Sequence, residues 1–194
     1  MIEIKNLTKS FGKNLIWKDV SFRIEDGETL AVIGKSGCGK SVLLKHLNAL
    51  LYPDSGQVII DGNNVFDLNY SELRLMRQRF GILFQGGALF DSINTFENIA
   101  FPLRYFTKAT EAEIKEKVEE ALEMVNLEEA GSKATSELSG GMRKRVGLAR
   151  AIVLKPEYLL YDEPTSGLDP QTSDEINELI VSMADSLDIT SIVI

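Results

Sequence analysis

Apolar residues recur along the chain with two periodicities, one typical of strands and one typical of helices. Apolar and polar side chains alternate in residues 2–7 and 20–25, which predicts two half-buried strands ahead of an apolar run at 29–33. Further β-rich runs predict strands at 57–62, 80–84, 158–161 and 189–194. We therefore expect a β layer first and a set of buried strands after it.

Helical spacing of apolar residues predicts a helix after most of these strands. The predicted helices cover 42–47, 68–79, a segment from the Thr110–Glu113 capping box to Val125, 138–155, and 170 to about 187. Ser71 is a possible cap of the second helix, and Asp169 with Pro170 begins the last one. Because strands and helices alternate, the sequence predicts an α/β fold with a mainly parallel sheet.

Composition narrows the class of protein without naming a function. The 194 residues suit one domain, or one domain with a subdomain, and the net charge of −8 argues against a broad nucleic-acid surface, so we expect no nucleic-acid partner. The single cysteine excludes an internal disulfide and a cysteine metal cluster. No apolar run approaches the ~20 residues that span a bilayer, and the N-terminus lacks a signal-peptide layout, so we expect a cytoplasmic protein.

Residues 34–41 match the P-loop pattern and lie between a predicted strand and a predicted helix. The loop consists of Gly34, Lys35, Ser36, Gly37, Cys38, Gly39, Lys40 and Ser41. Its glycines let backbone N–H groups turn toward an anion, and the helix N-terminus adds its dipole. Lys40 is expected to reach the β- and γ-phosphates, and Ser41 to offer its hydroxyl to Mg²⁺. The motif predicts nucleotide binding and leaves the reaction open.

Four other residues carry candidate chemistry. Asp162 and Glu163 end a buried strand, where the first can hold Mg²⁺ through water and the second can orient or deprotonate a water, although such acids also cap helices. Gln85 comes where a strand meets two glycines, which suits a side chain that moves. Phe11 precedes Gly12 and is either an exposed turn residue, the interpretation the residues favour, or a platform for a flat ring.

Taken together, these motifs resemble the nucleotide-binding domain of the ATP-binding cassette (ABC) family over essentially the whole chain. The matching segments are Walker A at 34–41, the Q-loop glutamine Gln85, the signature at 138–142, Walker B at 158–162 with Glu163 after it, and the D-loop at 166–169. The resemblance implies a P-loop NTPase with an N-terminal β subdomain, a RecA-like core and a helical subdomain at approximately 86–155.

The resemblance also assigns roles to individual residues. It implies that Lys40, Gln85 and Glu163 take part in ATP hydrolysis, that Ser41, Gln85 and Asp162 hold Mg²⁺, and that Phe11 stacks on adenine. Ser139, Gly140 and Gly141 begin a helix, and in the family they bind the γ-phosphate on the P-loop of a second subunit. The expected assembly is therefore a head-to-tail homodimer around two ATP molecules.

A narrower resemblance lies in residues 39–46, 84–92 and 97–104, which look like the ATPases of Mla-type lipid transporters that work with MCE-domain proteins. It implies phospholipid transport through a separate membrane permease, an MCE-domain partner, and a peripheral position on the inner face of the membrane. The apolar residues Leu89, Phe90, Phe96, Phe101 and Phe106 then either receive a permease helix or form subdomain core. Two alternatives remain: a soluble ABC ATPase of the iron–sulfur assembly type, and an ATP-binding regulator with little turnover.

The chain departs from the family at its C-terminal end. It stops at Ile194, where the family continues with Thr-His-Asp, so the switch histidine is absent from this sequence and we expect a truncated chain or an incomplete sequence. The only histidine, His46, lies in the P-loop helix and is assigned a packing or surface role. Loss of one preorganised polar contact commonly costs ~10²–10³ in rate, so turnover is expected to suffer more than ATP binding.

Overall fold

The alternating apolar pattern near the N-terminus produces an antiparallel sheet. The computed structural model describes residues 1–194. The strands of this sheet are β1 (Ile2–Phe11), β2 (Asn14–Ile24), β4 (Ser55–Ile60) and β5 (Asn63–Asn64), in the order β2-β1-β4-β5. Strand β1 pairs with both β2 and β4, and its apolar residues Ile2, Ile4 and Leu7 are fully buried. The predicted β layer is therefore confirmed.

The continuous apolar runs form a second, parallel sheet. Its strands are β3 (Thr29–Ala31), β6 (Phe80–Leu83), β7 (Tyr158–Tyr161) and β8 (Thr190–Val193), in the order β3-β8-β7-β6. All three pairings are parallel, so the carboxyl ends of the strands lie at one edge. Ligands of open α/β sheets bind beyond that edge. The P-loop, Gln85 and the Asp162–Glu163 pair each follow one of these strands.

Six α-helices accompany the sheets. They are α1 (Lys40–Leu47), α2 (Tyr70–Gln78), α3 (Thr95–Phe106), α4 (Glu111–Met124), α5 (Gly140–Ile152) and α6 (Pro170–Leu187). The capping box of Thr110 with Glu113 and the cap by Asp169 are confirmed. The proposed cap by Ser71 is wrong, because the Asn69 side chain accepts hydrogen bonds from the backbone N–H groups of Ser71 and Glu72. None of the helices is long and apolar enough to cross a bilayer.

Helix α3 was not predicted. It contains Pro102, which has no N–H and normally interrupts a helix, and it is rich in aromatic residues rather than in strong helix formers. Asn94 caps its N-terminus through the N–H of Glu97, and Ile99, Ala100 and Leu103 are buried against the other helices. Tertiary packing therefore outweighs local propensity in this segment.

Strands β1 and β2 are longer than predicted because their pairing contains bulges. The register shifts between Ile4 and Ser10, and Asn6 and Asp19 have positive φ angles of 50° and 54°. A bulge places an extra residue in one strand and interrupts the alternation of the pattern. Phe11 is therefore the last residue of β1, paired with Asn14, and the turn interpretation of Phe11 is wrong.

The buried apolar residues form two clusters. One, of 23 residues, joins helices α3 to α6 to the parallel sheet, and the other, of 16 residues, lies between the two sheets and includes α1 and α2. His46 of α1 is fully buried beside Trp17 and Phe66, so it has the packing role rather than the surface role. The two clusters fix the parallel sheet from both faces.

Candidate active site

The P-loop connects β3 to α1 through left-handed backbone at Gly37 and Gly39, whose φ angles are 77° and 98°. A Cβ atom at Gly39 would lie 2.3 Å from Cγ2 of Ile16 and 2.7 Å from Nε1 of Trp17. Glycine is therefore required there twice, once for the backbone conformation and once for the close approach. Residues 34–38 are exposed, so the loop is open to a ligand.

The Lys40 side chain lies across this loop. Its Nζ donates to the carbonyl oxygen of Gly34 at 3.0 Å and to that of Lys35 at 3.3 Å. On the other side, Trp17 Nε1 donates to the Cys38 carbonyl at 3.4 Å. These contacts hold a cationic cradle that has the shape and charge for a phosphate group.

Ser41, at the start of α1, and Asp162, after β7, meet beside the loop. The Ser41 hydroxyl donates to Oδ1 of Asp162 at 2.9 Å. Oxygen ligands suit Mg²⁺, which usually keeps several waters and takes its remaining ligands from substrate phosphates. The chain has no group of three or more His, Cys, Asp or Glu side chains that could hold an ion alone. The two oxygens therefore fit a Mg²⁺ ion shared with phosphate.

Gln85, after β6, and Glu163, after β7, form the next part of the site. Gln85 Nε2 donates to Oε2 of Glu163 at 2.7 Å and lies 3.5 Å from the Ser166 hydroxyl. Glu163 has a positive φ of 47°, and its N–H donates to the Ile194 carbonyl at 3.1 Å. A carboxylate paired with an amide in this way can orient a water molecule.

The signature residues begin helix α5. The Ser139 hydroxyl caps the helix by accepting from the N–H of Met142 at 3.2 Å, and Ser139 and Gly140 are exposed. A Cβ atom at Gly141 would lie 2.6 Å from Cγ2 of Thr172, so α5 packs closely on α6 there. No hydrogen bond joins Ser139, Gly140 or Gly141 to the P-loop. The structure thus gathers Lys40, Ser41, Gln85, Asp162 and Glu163 into one site and leaves the signature outside their hydrogen-bond network.

Phe11 is the one predicted site residue on the antiparallel sheet. Its side chain is 47% exposed, and the Lys9 ammonium lies 5.3 Å from the ring centroid. An exposed aromatic ring next to a cation can stack on a flat ligand. Its role toward adenine stays a prediction.

Two residues with contacts to the site were not predicted to have any. One is Trp17, and the other is Lys144 of α5, whose side chain is buried and donates through Nζ to the Glu163 carbonyl at 2.9 Å. Burial lowers the pKa of Lys144, while the carboxylates of Glu163 and Asp162 act to raise it. In the sequence Lys144 was one of several basic residues around an apolar stripe, and no local signal separated it from its neighbours.

Comparison with known proteins places this geometry in a family. A family model described as "ABC transporter" matches residues 17–166. The chain is 48% identical over 193 residues to the probable ribonucleotide transport ATP-binding protein Mkl of Mycobacterium leprae, covering 100% of this chain and 56% of the relative. It is 42% identical over 194 residues to the intermembrane phospholipid transport system ATP-binding protein MlaF of Haemophilus influenzae, covering 100% of this chain and 74% of the relative.

A solved structure agrees with these relatives. The ATP-binding cassette MJ0796, a dimer in a post-hydrolysis state with ADP and Pi, superposes with a TM-score of 0.89 at 32% identity, covering 100% of this chain and 87% of that one. The predicted P-loop NTPase fold of the ABC type is thereby confirmed, although the chain spans only 56% of the length of Mkl. With its P-loop, acid pair and signature in one matched segment, the chain belongs to the ABC transporter family of ATP-binding proteins.

Proposed function

We propose that the chain binds and hydrolyses ATP with Mg²⁺ as a head-to-tail homodimer and thereby powers phospholipid transport through a separate membrane permease. Lys40 and the N–H groups of the P-loop bind the phosphates, Ser41 and Asp162 hold Mg²⁺ together with Gln85, and Glu163 orients the attacking water. Ser139, Gly140 and Gly141 bind the γ-phosphate held by the other copy. The observation that carries the ATPase proposal is the convergence of the Ser41–Asp162 and Gln85–Glu163 contacts beside one P-loop.

A groove beside the Q-loop supports the proposal of a permease partner. It has a volume of about 290 Å³ and lies between β6, α3 and α5, with Phe84, Phe90 and Phe101 among its lining residues. Phe90 and Phe101 are each 44% exposed, and their ring centroids are 5.0 Å apart. Leu89 and Phe96, in contrast, pack against the helical core. The apolar segment thus divides into exposed and core residues, and a cytoplasmic helix of the permease fits the exposed part.

Arginines at this groove have no carboxylate partner in the chain. Both arginines donate to backbone carbonyls instead. Arg150 donates to those of Gly87 and Ala88. Arg77 donates to those of Asn48 and Ala49. The groove therefore has an apolar lining with two arginines in it. Phe84 and Ala88, which also line it, lie on either side of Gln85 in the chain. A helix seated there touches the loop that carries a residue of the active site, which links transport to hydrolysis. The chain is then peripheral on the inner face of the membrane.

The choice of phospholipid rests on the similarity to MlaF, of which the chain covers 74%. Mkl is somewhat more similar and is named for ribonucleotide transport, so ribonucleotides are the second candidate substrate. An MCE-domain lipid carrier belongs to the phospholipid proposal only.

Co-expression with a candidate phospholipid permease, purification in detergent and an ATPase assay test the proposal. We expect the pair to co-purify, and phospholipid to stimulate hydrolysis while ribonucleotides other than ATP do not. Lys40→Ala serves as the inactive control for hydrolysis. Stimulation by these ribonucleotides alone would transfer the assignment to the second candidate, and purification without any membrane protein would favour a soluble ABC ATPase.

A further inference from the structure

Helix α5 contacts both loops that carry the Gln85–Glu163 pair. A Cβ atom at Gly147 would lie 3.2 Å from the Cα of Gly87, so α5 and the loop after Gln85 touch backbone to backbone. Arg150 Nη2 donates to the Gly87 carbonyl at 2.7 Å on the same side. At the preceding turns of α5, Lys144 reaches the second loop, at Glu163. Helix α5, which begins with the signature, therefore contacts the backbone of both loops, the one that carries Gln85 and the one that carries Glu163.

Burial of the Lys144 ammonium is unfavourable in free energy. Its residue is 2% exposed, and the Glu163 carbonyl at 2.9 Å is its only hydrogen-bond partner. A buried ammonium loses hydration that one hydrogen bond restores only in part, and the carboxylates of Glu163 and Asp162 act on it without forming an ion pair. An apolar residue of the same length would fill this space without that loss. The presence of an ammonium group at this buried position therefore needs an explanation, and its single acceptor is the Glu163 carbonyl.

The backbone of Glu163 supplies that explanation. Its φ of 47° is in the left-handed region, which is unfavourable for a residue with a side chain. The next residue, Pro164, further biases Glu163 toward extended backbone. Against these preferences the Glu163 carbonyl accepts two hydrogen bonds, from Lys144 Nζ at 2.9 Å and from the N–H of Ser166 at 3.2 Å. These two donors fix the peptide plane that follows Glu163.

We propose that Lys144 is a positioning residue for hydrolysis, which holds the backbone of Glu163 so that its carboxylate stays on Gln85 and on the attacking water. The inference rests on the proposed role of Glu163. Without the ammonium, Glu163 relaxes toward extended backbone and its carboxylate moves away from Gln85. A misplacement of about 1 Å can reduce a rate by about 10²-fold. No hydrogen bond joins Lys144 to the P-loop, so ATP binding is retained.

Steady-state ATPase kinetics of the purified full chain test this role. Lys144→Met keeps the length and the apolar stem, and we expect kcat to fall about 10²-fold with KM for ATP within about twofold of wild type. Lys144→Arg keeps a charged donor, and we expect its kcat to be at least about tenfold higher than that of Lys144→Met. Arg145→Met is the matched control, because Arg145 is the next residue of α5 and its hydrogen bonds go only to the Val125 carbonyl and the Glu175 carboxylate. A fall in kcat as large in Arg145→Met would mean general destabilisation and would overturn the proposal.

A second measurement separates this inference from the proposed function. In the Glu163→Gln background, Lys144→Met should still form the ATP-dependent dimer, because Ser139 and the P-loop are unchanged; loss of that dimer would overturn a role limited to hydrolysis. Wild-type hydrolysis with an unchanged kcat in Lys144→Met would overturn the inference and leave the ATPase proposal standing. Absence of hydrolysis in the wild type, with ATP still bound, would overturn both.

Discussion

The Ser41 hydroxyl and the Asp162 carboxylate lie 2.9 Å apart although 121 positions separate them in the chain. Strand β8 lies between β3, which leads to the P-loop, and β7, which leads to Asp162. The two side chains meet because all three strands are parallel and end at one edge of the sheet. This contact joins the phosphate cradle to the acid pair.

Replacement of Ser41 by alanine should therefore weaken the Mg²⁺ site and leave the P-loop backbone unchanged. We expect the Mg²⁺ concentration for half-maximal ATPase activity to rise at least about tenfold, since loss of even an outer ligand contact commonly costs that much. Titration of activity against free Mg²⁺ measures the effect. Ser182→Ala, on the exposed side of α6, is the control. An unchanged Mg²⁺ requirement in Ser41→Ala would refute the metal role.

Glu163→Gln should separate ATP binding from hydrolysis. The amide keeps the size of the side chain but removes its charge, so hydrolysis is expected to fall by at least about 10²-fold while ATP stays bound. ATP then remains between two copies, and the molar mass from light scattering should double on addition of ATP and Mg²⁺.

The control variants for this dimer act on the two halves of the composite site. Adding Ser139→Arg to Glu163→Gln places a bulky cation at the start of α5, and adding Lys40→Ala removes the ammonium proposed to bind phosphate. Both double variants should remain monomeric with ATP. An unchanged mass of Glu163→Gln itself, with ATP demonstrably bound, would argue against the head-to-tail dimer.

The parts of this site that could be predicted depend on local chain order. Residues 34–41 and the pair Asp162–Glu163 each form a contiguous motif beside an apolar run, so their position at a strand end followed from the sequence. Trp17 and Lys144 could not be found in this way. Trp17 contacts Cys38 across 21 positions and Lys144 contacts Glu163 across 19, and both contacts arise only when separate elements pack. Bulges at Asn6 and Asp19 hid the length of β1 and β2 for a similar reason.

Alkylation of Cys38 should block the P-loop. Cys38 is the only cysteine, it is exposed, and its Sγ lies close to the Gly34 backbone within the loop, so a group added to the sulfur would occupy the cradle. We expect N-ethylmaleimide to weaken ATP binding at least about tenfold, and ATP to protect the thiol from the reagent. Fluorescent-nucleotide binding and mass spectrometry measure the two effects. Cys38→Ser, compared with and without reagent, should show no change; sensitivity of this variant would place the effect elsewhere.

The stability of the fold should depend on pH through His46. Burial lowers the pKa of His46 below its ordinary value of 6.5, against the hydrogen bonds to the Val42 and Tyr52 backbone, which raise it; Lys9 also lowers it and Asp54 raises it. Nδ1 lies 2.6 Å from the Val42 carbonyl, and no hydrogen bond of normal geometry satisfies the buried Nε2. The neutral ring therefore suits the folded state.

The folded and unfolded chains bind different numbers of protons at His46, and this difference sets how stability changes with pH. Between the lowered pKa and 6.5 the unfolded chain binds more protons at His46 than the folded chain does, so stability rises with pH in that window and is lost as the pH falls below about 6.5. One such group changes the free energy of unfolding by at most ~1.4 kcal/mol per pH unit. Urea unfolding at pH 5, 6, 7 and 8 measures the slope. Because His46 is the only histidine, His46→Gln should flatten the curve between pH 5.5 and 7, and an equal slope in both proteins would assign the pH dependence to carboxylates instead.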